Sequence, residues 1–409
     1  MKRIVVNGGR PLIGKLHVSG SKNAALPIIF ACILTNGRSR IENLPSIGDV
    51  HVALEILSSF GADITISGGS ALIDTSNLIY SEPSPMLVEK IRASTYLIGS
   101  CLSRFGKCKI MRFGGCNFSL RPIDMHIDAA IALGARLDDN MLTAEHILGN
   151  EIVFKKASVG ATVNALLIAS SATGDSIIRG CAVEPHIDQL IYFLNSCGAE
   201  IRRQGRDLYI SGRELHGGSI RINPDMIEAG SYLALSLMCE GELRVQDCPL
   251  DEMRSVFSAF QALGAEVILD SRGRPYLDAT EYNQLSLTAS PYPGFPTDLQ
   301  PIFAPLMAMH HGGEIVDTVW ESRFGYLNSL SNFGVRSLTE ENHAYIHPSG
   351  IHSGRTTAPD LRGGMAALMC ALYAKGQSEI LSAETLLRGY EDLVGKLSSV
   401  GADIKINDY

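Results

Sequence analysis

A short motif, Gly-Ala followed by an alternating segment, recurs along the chain and limits how it can fold. It reads FGADITI from Phe60, LGARLDD from Leu133, CGAEIRR from Cys197, LGAEVIL from Leu263 and VGADIKI from Val400, with a degraded form, FGVRSLT, from Phe333. Amphipathic stretches with apolar residues at three-to-four spacing precede the motif, as in DVHVALEILSSF from Asp49 and PHIDQLIYFLNSC from Pro185. That spacing predicts helices with one buried face. Glycine then ends each helix, because it adopts the left-handed conformation without a Cβ penalty, and the alternation after it predicts a strand. Each copy therefore reads helix, stop, strand.

Between these copies lie more uniformly apolar helical stretches, beginning at Lys22, Arg92, Gly160, Glu228, Asp298 and Asp360. Apolar around their circumference, they are expected inside, with the amphipathic set outside. Short strands follow them, such as RIENL, KIMRFG, IIRGC, LRVQDC and EIVDTVW. Two helices and their strands make a unit of roughly 65 to 70 residues, and a repeat of that length is one supersecondary module. The expectation is a two-domain, inside-out α/β barrel architecture with six βαβαββ-type units, three per domain. Residues 22–223 form the first globule; residues 1–21 plus 224–409 form the second, with the break at Asn223-Pro224, where proline interrupts a strand-like run. The opening MKRIVVNGGRPLIGKLHVSG is read as a strand pair that completes the second globule.

Composition excludes several functions. Over 409 residues the net charge is −8, with 45% hydrophobic and 19% charged residues, and no long basic run offers a footprint for nucleic acid or an anionic membrane. The longest apolar run, Ala24 to Leu34, is too short to span a bilayer, so no membrane insertion or secretion is expected. The nine cysteines are odd in number and lack a C-x-x-C pair, as expected of reduced thiols in a cytoplasmic protein.

The residues that begin the helices carry the chemistry. Lys22-Asn23, Arg92, Ser158-Val159-Gly160, Asp298 and Asp360 to Arg362 sit at or before the starts of the apolar helices. Asp49, Arg121 to Asp124, Glu184 to Asp188, Arg323 and Arg388 introduce outer ones. Helix N-termini present unpaired N–H groups and partial positive charge, which hold anions by roughly 0.3 to 2 kcal/mol each. If helices of both globules point at a shared cleft, the cleft suits a multiply charged anion. The active site is expected there.

The segments GSKNAALPI, IRASTYLIG, GGCNFSLRPIDMH, KASVGAT, FPTDLQ, ESRF, DLRGG and LRGYEDL resemble, in order and spacing over nearly the whole chain, the enolpyruvyl transferase family, and within it the branch that acts on nucleotide sugars. The resemblance implies transfer of the enolpyruvyl group of phosphoenolpyruvate to the 3′-hydroxyl of UDP-N-acetylglucosamine with loss of phosphate. That is the first committed step of peptidoglycan synthesis, and neither cofactor nor metal is implied. The counterpart of Cys116 acts as general acid toward C3 of phosphoenolpyruvate, can form a covalent adduct and is the target of fosfomycin. Lys22, Asn23, Cys116, Arg121 and Arg388 are implied to bind phosphoenolpyruvate. Asp298 would accept the proton of the sugar hydroxyl. Arg92, the wall Arg121, Pro122, Ile123, Asp124 and Met125, then Lys156, Ser158, Val159, Gly160, Asp298 and Val319 are implied to hold the nucleotide sugar. Asp49, Arg323, Asp360 and Arg362 are secondary candidates.

Each has a plainer use. A lysine or asparagine at a helix start is commonly a solvated cap, an aspartate such as Asp298 a helix cap, and a valine such as Val319 a buried strand residue. For Asp49, Asp360 and Arg362 the rival is an ion pair between units. The chain also departs from the family at Phe113 and Ser119, in the loop around Cys116, and at Leu387, before Arg388. Three alternatives stay open: transfer to another uridine nucleotide such as UMP; the reaction of the shikimate-pathway relative, EPSP synthase, against which GGCNFSLRPID and KASVGAT argue; and a silent nucleotide-sugar-binding regulatory protein.

Overall fold

A computed structural model describes residues 2–115, 122–239 and 241–408. The chain forms two compact units, one of Met1–Ser19 with Pro224–Tyr409, the other of Gly20–Asn223.

In the Gly20–Asn223 unit, the helices Lys22–Ala31, Leu97–Phe105 and Val159–Ala169 lie inside. The last is buried continuously from Ala161 to Ala169. The amphipathic helices Gly48–Ser59, Asp124–Ala132 and Pro185–Ser196 each bury one face. Three small sheets complete the unit, each containing a hairpin: Asp63–Ser67 with Ser70–Asp74, Arg136–Asp138 with Met141–Thr143, and Glu200–Gln204 with Asp207–Ser211. Ser219–Arg221, at the end of the unit, pairs in parallel with Arg38–Glu42 near its beginning, so the last strand returns to the first sheet.

The other unit repeats this plan. Its inner helices, Met226–Met238, Gln300–Met309 and Leu361–Tyr373, pack against one another. Full burial of side chains such as Leu233 and Phe303 stabilises it by about 1.5 to 3 kcal/mol each. The two opening strands do not pair with each other. Lys2–Gly8 lies between Gly376–Leu381 and Asp403–Asp408, whereas Gly14–His17 pairs in parallel with Leu243–Gln246. Each finds its partners far along the chain instead.

The repeated glycine does the same work six times. Gly61, Gly134, Gly198, Gly264, Gly334 and Gly401 all have φ between 91° and 105°, a range that strains any residue with a Cβ. A strand follows every one. The degraded copy is degraded in structure too: Gly334 ends three short turns, Arg323–Tyr326, Leu327–Leu330 and Ser331–Phe333, instead of one long helix. Among the described residues no helix is long and apolar enough to cross a membrane.

Candidate active site

Lys22 and Asn23 open an inner helix, and Lys22 Nζ lies 3.4 Å from Asp49 Oδ2 in the first turn of the next helix. Lys22 is 15% exposed and Asp49 8%. Pro27, inside the same helix, has no N–H to donate to the carbonyl of Asn23 four residues earlier. The rival to function for Asp49 was an ion pair between units; the pair seen instead joins two successive helices of one unit, and it holds the ammonium in place at the helix start.

Arg92 begins the turn Arg92–Tyr96 that leads into the helix Leu97–Phe105. The stem Gly114-Gly115 crosses this turn closely. A Cβ on Gly114 would come 2.0 Å from Glu89 O, and one on Gly115 2.9 Å from the Arg92 Cβ. Both glycines are therefore required for the backbone to pass. Phe113 packs against the unit's core. Cys116, Ser119 and Arg121 lie outside the described residues.

Past that segment, Pro122 and Asp124 are exposed, while Ile123 and Met125 pack partly into the core. Lys156 is exposed, and Ser158 caps the helix Val159–Ala169, its hydroxyl accepting from Ala161 N–H at 3.3 Å. His126 and Asn164, absent from the sequence-derived set, join these elements: Asn164 Nδ2 is 2.7 Å from His126 Nδ1, and both side chains are buried. A polar residue within GATVNALLIA, otherwise nearly all small or apolar, was the available signal, because such a residue needs partners inside.

In the other unit Asp298 is the centre. Arg323 Nη2 donates to its Oδ1 at 2.7 Å, and Arg362 donates to its Oδ2 from Nη2 at 3.1 Å and from Nε at 3.2 Å. Both arginines are buried, whereas Asp298 keeps 31% exposure, so two buried guanidiniums hold a carboxylate that is itself partly exposed. It is not a helix cap: the helix starts at Gln300 with Leu299 in the cap position. Burial opposes the charge on Arg362, but Tyr390 and Asp298 outweigh it and hold the guanidinium above its ordinary pKa. Asp360 caps the helix carrying Arg362, accepting from the N–H groups of Arg362 and Gly363 at 2.9 and 3.0 Å.

A second carboxylate sets the next layer. Asp317 accepts from Thr297 Oγ1 at 2.5 Å and from the N–H groups of Val319 and Trp320 at 2.9 and 3.0 Å. Thr297 in turn accepts from Arg323 at 3.1 Å. Val319 lies beyond the end of the strand Gly313–Asp317, half-buried in the turn that Asp317 organises. Arg388 follows the short helix Glu384–Leu387, and Leu387 packs partly against the core. An apolar residue there is explained by that packing.

Burial removes the described cysteines as nucleophiles. The thiols of Cys32, Cys101, Cys181, Cys197, Cys239, Cys248 and Cys370 are all pushed up by desolvation, those of Cys181, Cys239 and Cys248 to about 12. Cys108 is buried as well.

Residues 6–397 match the family model described as EPSP synthase (3-phosphoshikimate 1-carboxyvinyltransferase). A Halothermothrix orenii protein named UDP-N-acetylglucosamine 1-carboxyvinyltransferase is 36% identical, covering 99% of both chains. UDP-N-acetylglucosamine 1-carboxyvinyltransferase 2 of Staphylococcus aureus strain Mu50 is 36% identical over 98% of both. Among solved structures, the enolpyruvyl transferase NikO from Streptomyces tendae superposes with a TM-score of 0.90 at 26% identity and 99% coverage of each chain. EPSP synthase from Acinetobacter baumannii, at 17% identity and a TM-score of 0.74 over all of both chains, shares the fold.

Proposed function

The chain belongs to the EPSP synthase family, and from that premise we propose that it transfers the enolpyruvyl group of phosphoenolpyruvate to the 3′-hydroxyl of UDP-N-acetylglucosamine, releasing phosphate. The observation that carries this reading is identity of 36% along essentially the full length of relatives bearing that activity in their names. It makes the protein a carboxyvinyltransferase of the cytoplasmic route to peptidoglycan.

In this reading Lys22, Arg121 and Arg388 hold the phosphate and carboxylate of phosphoenolpyruvate, with Asn23 beside them. Preorganised cations of this kind stabilise charge without reorganising during the reaction. Cys116 delivers a proton to C3, so C2 becomes cationic. The sugar hydroxyl adds its oxygen to C2 while its proton passes to Asp298. Loss of a proton from C3 and cleavage of the bond between C2 and the phosphate oxygen then restore the double bond and release phosphate. Proton transfer by a positioned carboxylate typically contributes 10²- to 10⁴-fold, and Asp298 is suited to it: both oxygens are fixed by arginines and the side chain is partly exposed. Arg92, Pro122 to Met125, Lys156, Ser158 to Gly160 and Val319 serve the nucleotide sugar. Asp49 supports Lys22, while Arg323, Asp360 and Arg362 support Asp298.

The test is product mass. Incubation with phosphoenolpyruvate and, separately, UDP-N-acetylglucosamine, UMP and shikimate 3-phosphate is expected to give an enolpyruvyl product with the first alone. A product only with UMP or with shikimate 3-phosphate overturns the assignment of acceptor, and no product with any of them overturns the reading of an enzyme.

A further inference from the structure

Tyr326 ends the turn Arg323–Tyr326 and is only 1% exposed. Burial, with Asp360 and Asp317 nearby, pushes its hydroxyl well above the ordinary pKa against the pull of Arg323, so the group keeps its proton and can donate. It donates to Gln300 Oε1 at 2.7 Å, at the start of the helix Gln300–Met309 that follows Asp298. The Tyr326 Cβ lies against the first turn of the helix Leu361–Tyr373: a Cβ added to Gly363 would come 2.6 Å from it. One side chain thus touches all three elements that build the surroundings of Asp298: the turn that carries Arg323, the helix start that carries Arg362, and the helix that Asp298 leads into.

Two features indicate that this contact serves position more than stability. Gln300 is fully buried, yet its Nε2 has no hydrogen-bond partner among the described residues. An amide donor left unpaired inside destabilises the fold, and an apolar side chain of similar shape would avoid that loss. What the amide supplies is an acceptor for the hydroxyl at the end of the Arg323 turn. The other end of the turn is entered through Ser322, whose φ of 60° is left-handed and strained for a residue with a Cβ. Backbone of this kind persists only where its surroundings over-determine it, and Tyr326 is the buried anchor opposite.

We propose that Tyr326 is a positioning residue for the Asp298 carboxylate: anchored on Gln300 and packed on Gly363, it holds the guanidiniums of Arg323 and Arg362 in one arrangement about the two oxygens. It acts through Arg323, which donates to Asp298 Oδ1 at 2.7 Å and to Thr297 Oγ1 at 3.1 Å. The inference rests on the reading above of Asp298 as the group that takes the acceptor's proton.

The test compares the unaltered full-length protein with Tyr326→Phe, Asp298→Asn and the double variant, by phosphate release from phosphoenolpyruvate with UDP-N-acetylglucosamine. Tyr326→Phe keeps the buried ring and removes only the hydroxyl. It is expected to lower kcat about 3- to 30-fold with both KM values within about twofold, the pattern of an interaction felt in the transition state. In the Asp298→Asn background the same change is expected to have no further effect, because the group being positioned is gone; a merely structural loss would lower the rate by the same factor in both backgrounds. Gln300→Met, which removes the acceptor and keeps the tyrosine, is expected to reproduce the pattern and replaces Tyr326→Phe should that variant not fold. Full kcat in Tyr326→Phe, or an equal loss in both backgrounds, overturns the positioning role and leaves Asp298 standing as the base. An Asp298→Asn protein as active as the unaltered one, or no release from the unaltered protein, overturns the reading of the site and the proposal with it.

Discussion

Arg362 donates from both Nε and Nη2 to the same oxygen of Asp298, at 3.2 and 3.1 Å, and is itself only 3% exposed. A planar guanidinium in this position fixes the direction of the carboxylate as well as its charge. Lysine would keep the charge and lose the fork. Arg362→Lys is therefore expected to lower kcat about 10- to 100-fold with a smaller change in KM, because misorientation of a reacting group is felt mainly in the transition state. Steady-state kinetics check this, and an unchanged kcat would show that Asp298 does not depend on the fork.

Glu228 and Lys396 form a buried pair at 2.7 Å, reinforced by the Tyr232 hydroxyl at 2.6 Å and by Ser19, whose N–H donates to Glu228 at 2.8 Å. Lys396→Met leaves the carboxylate buried without its cation and is expected to cost about 3 to 5 kcal/mol in urea unfolding. Adding Glu228→Gln removes the orphaned charge, so the double variant should be more stable than the sum of the two single losses.

The depressed pKa of His126, about 4 against 6.5, makes stability depend on pH with a definite sign. Between these values the unfolded chain binds the proton and the folded protein does not, so the contribution is complete above pH 6.5 and is lost as pH falls toward 4. The loss amounts to roughly 3 kcal/mol. The difference in unfolding free energy between the unaltered protein and His126→Phe should shrink over this window and stay level above it. A flat difference would show that the imidazole binds its proton equally in the folded and unfolded states.

The architecture was readable because one residue type performs one physical task at each repeat: glycine ends the outer helix, and all six copies adopt the same left-handed backbone. The places of Lys2–Gly8 and Gly14–His17 were not, since a strand's local pattern does not name its partner, and the register Arg3↔Leu381 spans nearly the whole chain. The surroundings of Asp298 show the same limit. Charged residues at helix starts were visible, but Arg323 and Arg362 reach it from 25 and 64 positions away. The pairing of His126, the last residue of GGCNFSLRPIDMH, with Asn164 was not legible because each looks like an isolated polar residue on an apolar face until Gly99 and Gly160 bring their helices close enough for the two to meet.

The most direct test of the account is phosphate release from phosphoenolpyruvate in the presence of UDP-N-acetylglucosamine, measured for the unaltered protein and for Asp298→Asn, with nucleotide-sugar binding followed in parallel. The account predicts release that requires both substrates and falls 10²- to 10⁴-fold in the variant, the usual range for a lost general base, while binding is largely kept. No release from the unaltered protein, or an undiminished rate in Asp298→Asn, would contradict it.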